Sequence, residues 1–193
     1  MGFEDETWWS RFELPAQHAW AEAGHPRRLV EQSVAKDDPD PKALACYGLL
    51  LSTPANSEGL PRQVWLRFVH GRPVSAITTQ FLEWCCAKLE ASGKTVLVMI
   101  WDNASWHISR EVRAWIRAHN HQVKRERRGV RVLSCKLPIK SPWLNAIEPH
   151  WIHAKRKVGE ADRLLPASEL RDRICDHFGC PQEPELTIRE KVA

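Results

Sequence analysis

The sequence has no apolar run approaching the ~20 residues that a membrane-spanning helix requires, so a transmembrane helix is excluded. It also lacks a charged-then-apolar leader. The opening MGFEDETWW is acidic, and its sixth residue is Glu rather than the Ser or Thr of a myristoylation motif. No two of its six cysteines (Cys46, Cys85, Cys86, Cys135, Cys175, Cys180) form a C-x-x-C pair. That spacing argues against a structural zinc site, and thiols in apolar segments read as small buried hydrophobes in a reducing compartment. Tyrosine occurs once against ten tryptophans, most of which are expected in the core. Internal repeats and low-complexity tracts are lacking too. These absences describe a cytoplasmic kind of chain, and 193 residues suffice for one domain with a real core.

What is present is organised around Thr95 to His107, TVLVMIWDNASWH. Val96 to Ile100, with Trp101, predict a short strand buried on both faces of a sheet. Asp102 then lies at the carboxyl end, on the rim where open α/β sheets place their chemistry. It fits equally well as a cap for the turn into the next helix. Upstream, Lys42–Ser52 and Gln63–His70 predict an antiparallel hairpin joined by turn chemistry at 53–61. Phe3-Glu4-Asp5-Glu6 has little chain before it, so either a first strand here is very short or the chain is a fragment of a longer ancestral protein. Residues 13–41 are mixed, with surface-loop chemistry at Asp37-Asp38-Pro39-Asp40.

Helices are predicted over Ser75–Ser92, stopped by Gly93, and from Arg110 to about Ala118, capped by Ser109. A basic loop, 119–131, precedes a strand from Val130 to Leu137. Leu144, Ile147, Trp151, Ala154 and Val158 then recur at helical spacing, with Glu148 beside the apolar stripe. A last helix is expected from about Ser168 to Phe178, and 181–193 as a loose tail. Strands first and then βα alternation imply an α/β fold, a mixed sheet flanked by helices.

The net charge of +4 is too small to imply nucleic acid by itself, but it is concentrated. Lys124, Arg125, Arg127, Arg128 and Arg131 face Glu126 alone, and Lys155, Arg156 and Lys157 form a second group. Clustered positive charge is the footprint of a phosphate-backbone binder, and it is equally what a solvated loop or helix face looks like. Asp102 and Glu148 are far enough apart for a helix, a loop and a strand to return them to one rim. Glu148 also completes a capping-box pattern with Asn145. His150-x-x-His153, taken with His107, raises a zinc hydrolase as a further reading, though the imidazoles lie on the polar side of the helix.

DNASWH, with Asp102, Asn103 and His107, is followed by SPWLNAIEPHW, with Ser141, Pro142, Leu144, Asn145, Ile147, Glu148 and Trp151. In this order the two segments resemble the catalytic region of DDE transposases, specifically insertion-sequence members of the mariner-like superfamily. Phe3-x-Asp5-Glu6 is similar to that family's first acidic segment, and ACYGLL (45–50) and Phe81-Leu82 occupy the expected places between. The resemblance covers roughly residues 3–160. It implies a ribonuclease H-like catalytic domain over 1–160, with a C-terminal helix and tail over 161–193. It also implies a catalytic, metal-binding triad of Asp5, Asp102 and Glu148, although Glu4 and Glu6 compete for the role of Asp5.

Two Mg²⁺ or Mn²⁺ ions are the implied cofactors. Paired hard cations roughly 4 Å apart can serve both the attacking and the leaving oxygen of a phosphodiester, and carboxylates suit them. The implied activity is DNA strand cleavage and strand transfer at transposon ends. Asn103, His107 and Asn145 would support the site, by orienting a ligand or through structural hydrogen bonds. The two basic groups would meet DNA. Three departures from the family stand out: Ala146 replaces the usual Pro, the Asp102–Glu148 interval is longer at 119–131, and no helix-turn-helix precedes Asp5. The chain is therefore expected to be N-terminally truncated. Its DNA reader would sit on a partner chain or work through a homodimer, in the cytoplasm with the nucleoid. The alternative is a catalytically silent DNA-binding remnant, or the accessory half of a split transposase.

Overall fold

The structure, a computed structural model, describes residues 1–12, 22–24, 35–52, 63–159 and 163–188. The expected hairpin turn at 53–61, most of the mixed region 13–41 and the end of the tail lie outside them.

Five strands form one mixed sheet: β1 (Gly2–Ser10), β2 (Ala43–Leu51), β3 (Gln63–Val69), β4 (Val96–Trp101) and β5 (Arg131–Lys136), in the order β3-β2-β1-β4-β5. The expected hairpin is present, with β2 and β3 antiparallel from Ala45↔Val69 to Leu51↔Gln63. β1 runs antiparallel to β2 along its whole length and parallel to β4 at Gly2↔Met99 and Phe3↔Ile100. β4 and β5 pair in parallel. The first strand is thus not short: it has nine residues and is central. Its acids do not break it because alternation sends Glu4 and Glu6 to one face, toward His107, and Asp5 to the other, toward Trp151.

Each face of the sheet is closed by a pair of helices. Ala45, Tyr47 and Leu49 of β2 join the core beneath α1 (Ser75–Ala91) and α2 (Arg110–Glu126). Leu44, Cys46 and Leu50 join the one beneath α3 (Glu148–Val158) and α4 (Ala167–Phe178). Tryptophan supplies much of this packing, with Trp9, Trp65, Trp101 and Trp151 buried; four of the six thiols are buried as well. β4 differs from expectation. Leu97, Met99 and Trp101 are buried, but Val96 is exposed and Val98 and Ile100 only half-buried, because α3 and α4 pack over β1, β2 and β3 instead.

The second helix is longer than expected. HNHQVKRE contains no Gly or Pro, so α2 continues to Glu126 and ends only at Arg127, in the left-handed region, and Gly129. The expected loop 119–131 shrinks to a short turn. Ser109 does cap α2, accepting from the Val112 N–H at 3.1 Å. Asn120 clips the helix to β5, exchanging two 2.8 Å hydrogen bonds with the Val132 backbone. Leu144 does not join the third helix. It belongs to a separate 3-10 turn, Pro142–Leu144, and is exposed.

The tail differs as well. Leu186 is buried and bridges Val69, and the His70 N–H donates to the Leu186 carbonyl at 2.9 Å. Residues 181–188 therefore cover the outer edge of β3, an edge that would otherwise expose unpaired backbone.

Candidate active site

The parallel register of β1 and β4 prepares the site. Pairing stops at Phe3↔Ile100, and two residues further along each strand stand Asp5 and Asp102. Glu148 arrives from the other direction, in the first turn of α3. All three carboxylates line one cavity of ≈ 300 Å³ together with Asn103, Asn145 and the segment Leu137–Pro142.

Each acid is braced by a different partner. Trp151 Nε1 donates to Asp5 Oδ2 at 2.8 Å. The Trp151 ring reaches that position by lying on Gly48, the residue paired with Asp5, where a Cβ would come within 2.3 Å of it. His107 Nδ1 donates to Asp102 Oδ1 at 2.8 Å, and the Ala104 N–H donates to the same oxygen at 2.8 Å. Asp102 therefore does hold its turn, as the capping reading expected, while its carboxylate still faces the cavity. Glu148 is placed through Asn145, whose Nδ2 donates to the Glu4 carbonyl at 2.9 Å. The capping box is not formed: the Asn145 side chain spans to β1 rather than to the start of α3, which has no side-chain cap. Asn103 Nδ2 donates to the Leu137 carbonyl at 2.7 Å, tying the end of β4 to the end of β5.

Two layers of acids result, separated by the sheet. On the cavity side, burial raises Asp5 to about 7, with Glu148 the next cause; the hydrogen bond from Trp151 opposes the rise. On the far side, His107 is buried with Nε2 at 3.0 Å from Glu6 and 3.2 Å from Glu4. Burial disfavours its charge, but Glu4, with the bonds to Asp102 and Glu6, outweighs burial and lifts the imidazole to about 11. Burial, and then Glu6, push the Glu4 carboxyl well above the ordinary range. Asp102 is lowered by the His107 hydrogen bond. Trp106 Nε1 donates to Glu6 at 2.6 Å. Sequence reasoning left Glu4 and Glu6 as rivals of Asp5, and strand alternation separates them.

Glu4, Glu6 and His107 bring ligand-type atoms within 4.8 Å of one another. Both ring nitrogens of His107 already face carboxylates, Nδ1 that of Asp102 and Nε2 that of Glu6, so this group reads as a buried ion cluster. The same engagement of His107 removes the zinc reading with His150 and His153. The cavity-side donors are a better fit to a hard divalent cation. Asp5, Asp102 and Glu148 offer carboxylate oxygens only; burial raises Asp5 first and the neighbouring Glu148 carboxylate second.

The basic groups fall in two different places. Lys155 lines a neighbouring groove with Asp5, Glu6, Thr7, Trp8, Glu148, Trp151 and Ile152. Its Nζ lies 5.8 Å from the Trp9 ring centroid. Arg156 and Lys157 are exposed in the last turn of α3. Lys124, Arg125, Arg127, Arg128 and Arg131 are not brought to the carboxylates. Arg131 pairs with Val96 at the opposite end of β4 from Asp102, roughly 20 Å away at the rise of a strand. Arg125 pairs with Glu126, and Arg128 with Glu90 at 2.8 Å.

A family model of the DDE superfamily endonucleases matches residues 61–171, the span containing Asp102 and Glu148. The chain belongs to that family. No curated protein matches this DDE chain. Among solved structures it is similar to "Mos1 transposase paired-end complex with left transposon end", at 15% identity and a TM-score of 0.64, covering 94% of this chain and 48% of that one. "Crystal structure of the Mos1 mariner paired end complex with Mn" is similar at 16% identity and a TM-score of 0.61, with the same shares covered. At these identities the likeness is one of fold: a mixed sheet flanked by helices, ribonuclease H-like and similar to the arrangement in the Mos1 transposase. The DDE chain spans about half the length of those transposases.

Proposed function

We propose that the chain is the catalytic domain of a transposase that cuts and joins DNA strands with the help of divalent cations. The observation that carries this reading is the convergence of Asp5, Asp102 and Glu148 on one cavity from β1, β4 and α3. Mg²⁺ or Mn²⁺, as two ions, are the cofactors these oxygens fit, and bound there they supply Lewis acidity to a phosphodiester and its attacking hydroxyl. The chain's own residues do the positioning. Trp151 holds Asp5, His107 holds Asp102, and Asn145 fixes the start of α3 and with it Glu148. Lys155, beside the same carboxylates, is suited to a flanking phosphate, with Arg156 and Lys157 further along the helix. The catalytic unit takes in 1–160 together with α4, which closes one face of the same sheet, and a helix-turn-helix reader acts from a partner chain or within a homodimer at the nucleoid. The reading as a silent remnant drew on a clipped first strand; the nine residues of β1, Gly2–Ser10, support the catalytic reading instead.

The test is calorimetric titration of Mn²⁺ into the wild type, Asp102→Asn and Glu148→Gln, with nicking of supercoiled plasmid measured in parallel. Binding and nicking by the wild type, both lost in the variants, are expected. Nicking retained by Asp102→Asn overturns the assignment.

A further inference from the structure

Three large apolar side chains stand in solvent on the loop that lines one side of the carboxylate cavity. Ile139 is 79% exposed, Trp143 74% and Leu144 48%, all within six residues of one loop. Isolated exposed apolar residues are ordinary, but a cluster on a braced segment is not. The loop is clamped at both ends. The Leu137 N–H donates to the Trp101 carbonyl at 2.8 Å, and the Leu137 carbonyl accepts from Asn103, next to Asp102. At the other end Asn145 donates to the Glu4 carbonyl, next to Asp5. Between the clamps, Pro138, the left-handed Lys140 (φ 58°) and the 3-10 turn begun by Pro142 restrict the backbone. The loop therefore holds its apolar side chains out as a fixed edge. Ile139, Lys140 and Pro142 also line the cavity, so whatever rests on Asp5, Asp102 and Glu148 touches this edge.

We propose that the 138–144 loop is an apolar wedge for DNA: Trp143, with Ile139, receives an unpaired base next to the phosphate held over the carboxylates. This rests on the reading that those carboxylates act on DNA. A base has an apolar π-face that stacks on an indole, and apolar side chains pushed between base steps are a general means of opening a duplex. The charge pattern fits the same occupant, since Lys136 and Lys140 are exposed at the foot and the crest of the wedge, where a backbone flanking the base would run. The carboxylates sit in the cavity below rather than on the edge. Trp143 touches bases rather than the reacting atoms, so its contribution is geometric: it keeps one strand apart from its complement at the step to be cut.

The probe is a 30-base-pair synthetic duplex with a two-nucleotide central bubble carrying 5-iodouracil, in Ca²⁺ to hold off cutting. Affinity is read by fluorescence anisotropy and contact by photocrosslinking and peptide mapping. Trp143→Ala is expected to bind the bubble about tenfold more weakly at an unchanged salt slope, and Trp143→Phe within about threefold of wild type. The crosslink is expected on Trp143. Trp143 is exposed, so the fold survives either substitution, and circular dichroism verifies this. Undiminished bubble affinity in Trp143→Ala, or a crosslink mapped only elsewhere, overturns the wedge. So does a change from dimer to monomer in sedimentation with DNA affinity unaltered, which assigns the edge to a second copy of the chain. A wild type that crosslinks through Trp143 yet nicks no plasmid in Mn²⁺ overturns the catalytic reading and leaves the wedge standing.

Discussion

Asp5 and Asp102 stand side by side because two parallel strands part company just before them. β1 and β4 pair through Phe3↔Ile100 and no further, and the gap that opens holds the carboxylates. Paired backbone fixes their starting points while their side chains are left facing an open cavity. The site thus owes its geometry to sheet register rather than to a loop.

Cation affinity is expected to depend on pH through Asp5. Its carboxyl, raised to about 7, holds a proton that a bound cation must displace. Affinity for Mn²⁺ therefore climbs between about pH 5 and 7 and levels off above, and binding releases a proton whose heat scales with buffer ionisation enthalpy. A flat affinity across that range removes Asp5 from the ligand set.

The same shift predicts stability without cations. Asp5 has a folded value above its ordinary 3.8, so the folded state binds the proton more tightly and loses stability as pH rises from about 4 through about 7. In EDTA at pH 8, Asp5→Asn is expected to melt a few degrees above the wild type, and at pH 4 to show no such gain.

His107 holds the far-side acids together, so replacing it is expected to be costly. His107→Gln leaves Glu4 and Glu6 without their cation, and about 3 kcal/mol is the expected loss. The folded value near 11 lies above the ordinary 6.5, so this contribution is full below pH 6.5 and lost as pH climbs through about 11. Urea unfolding of wild type and variant is expected to differ at pH 6 and to converge toward pH 11.

Gly48→Ala tests how Asp5 is held. The new methyl meets Trp151 carbons at 2.3 and 2.5 Å, so the ring must move and take its hydrogen bond with it. A loss of about 2 kcal/mol and weaker Mn²⁺ binding are expected together. Trp151→Phe, which keeps the ring packing but not the donor, is expected to weaken Mn²⁺ binding with a smaller change in stability.

Replacing Arg125, Arg127 and Arg128 by Ser is expected to lower DNA affinity and reduce its salt slope. Arg131, just beyond them in the chain, lies a strand's length from Asp102, so the rate of nicking at saturating protein is expected to hold. A rate that falls with the affinity places them nearer the chemistry than the register does.

Much of this architecture was legible because apolar spacing is local. The hairpin, α1, β4 and the stripe Ile147, Trp151, Ala154, Val158 follow from residues a few positions apart. That Asp102 and Glu148 share one cavity was legible only through the resemblance of DNASWH and SPWLNAIE to a family, since each residue by itself reads as well as a cap. The extent of β1 was not, since three adjacent acids look hostile to a strand until His107, a hundred residues away, is seen to receive two of them. Asn145 shows the same limit: in sequence it is a helix cap, and in space it ties α3 to Glu4. The reach of α2 was readable from HNHQVKRE, whose want of Gly and Pro outweighed the charge that suggested a loop.

β1 is the first strand in the chain and the middle one in the sheet, which sets an order of assembly. Its two neighbours are supplied only around residues 43–51 and 96–101, so high contact order slows folding and leaves the acidic strand waiting for its frame. α1 and α2 draw on local contacts and are expected to form before Asp5, Asp102 and Glu148 meet. In a refolding experiment, helical circular dichroism therefore recovers first, and the capacity to bind Mn²⁺ is among the last properties to return.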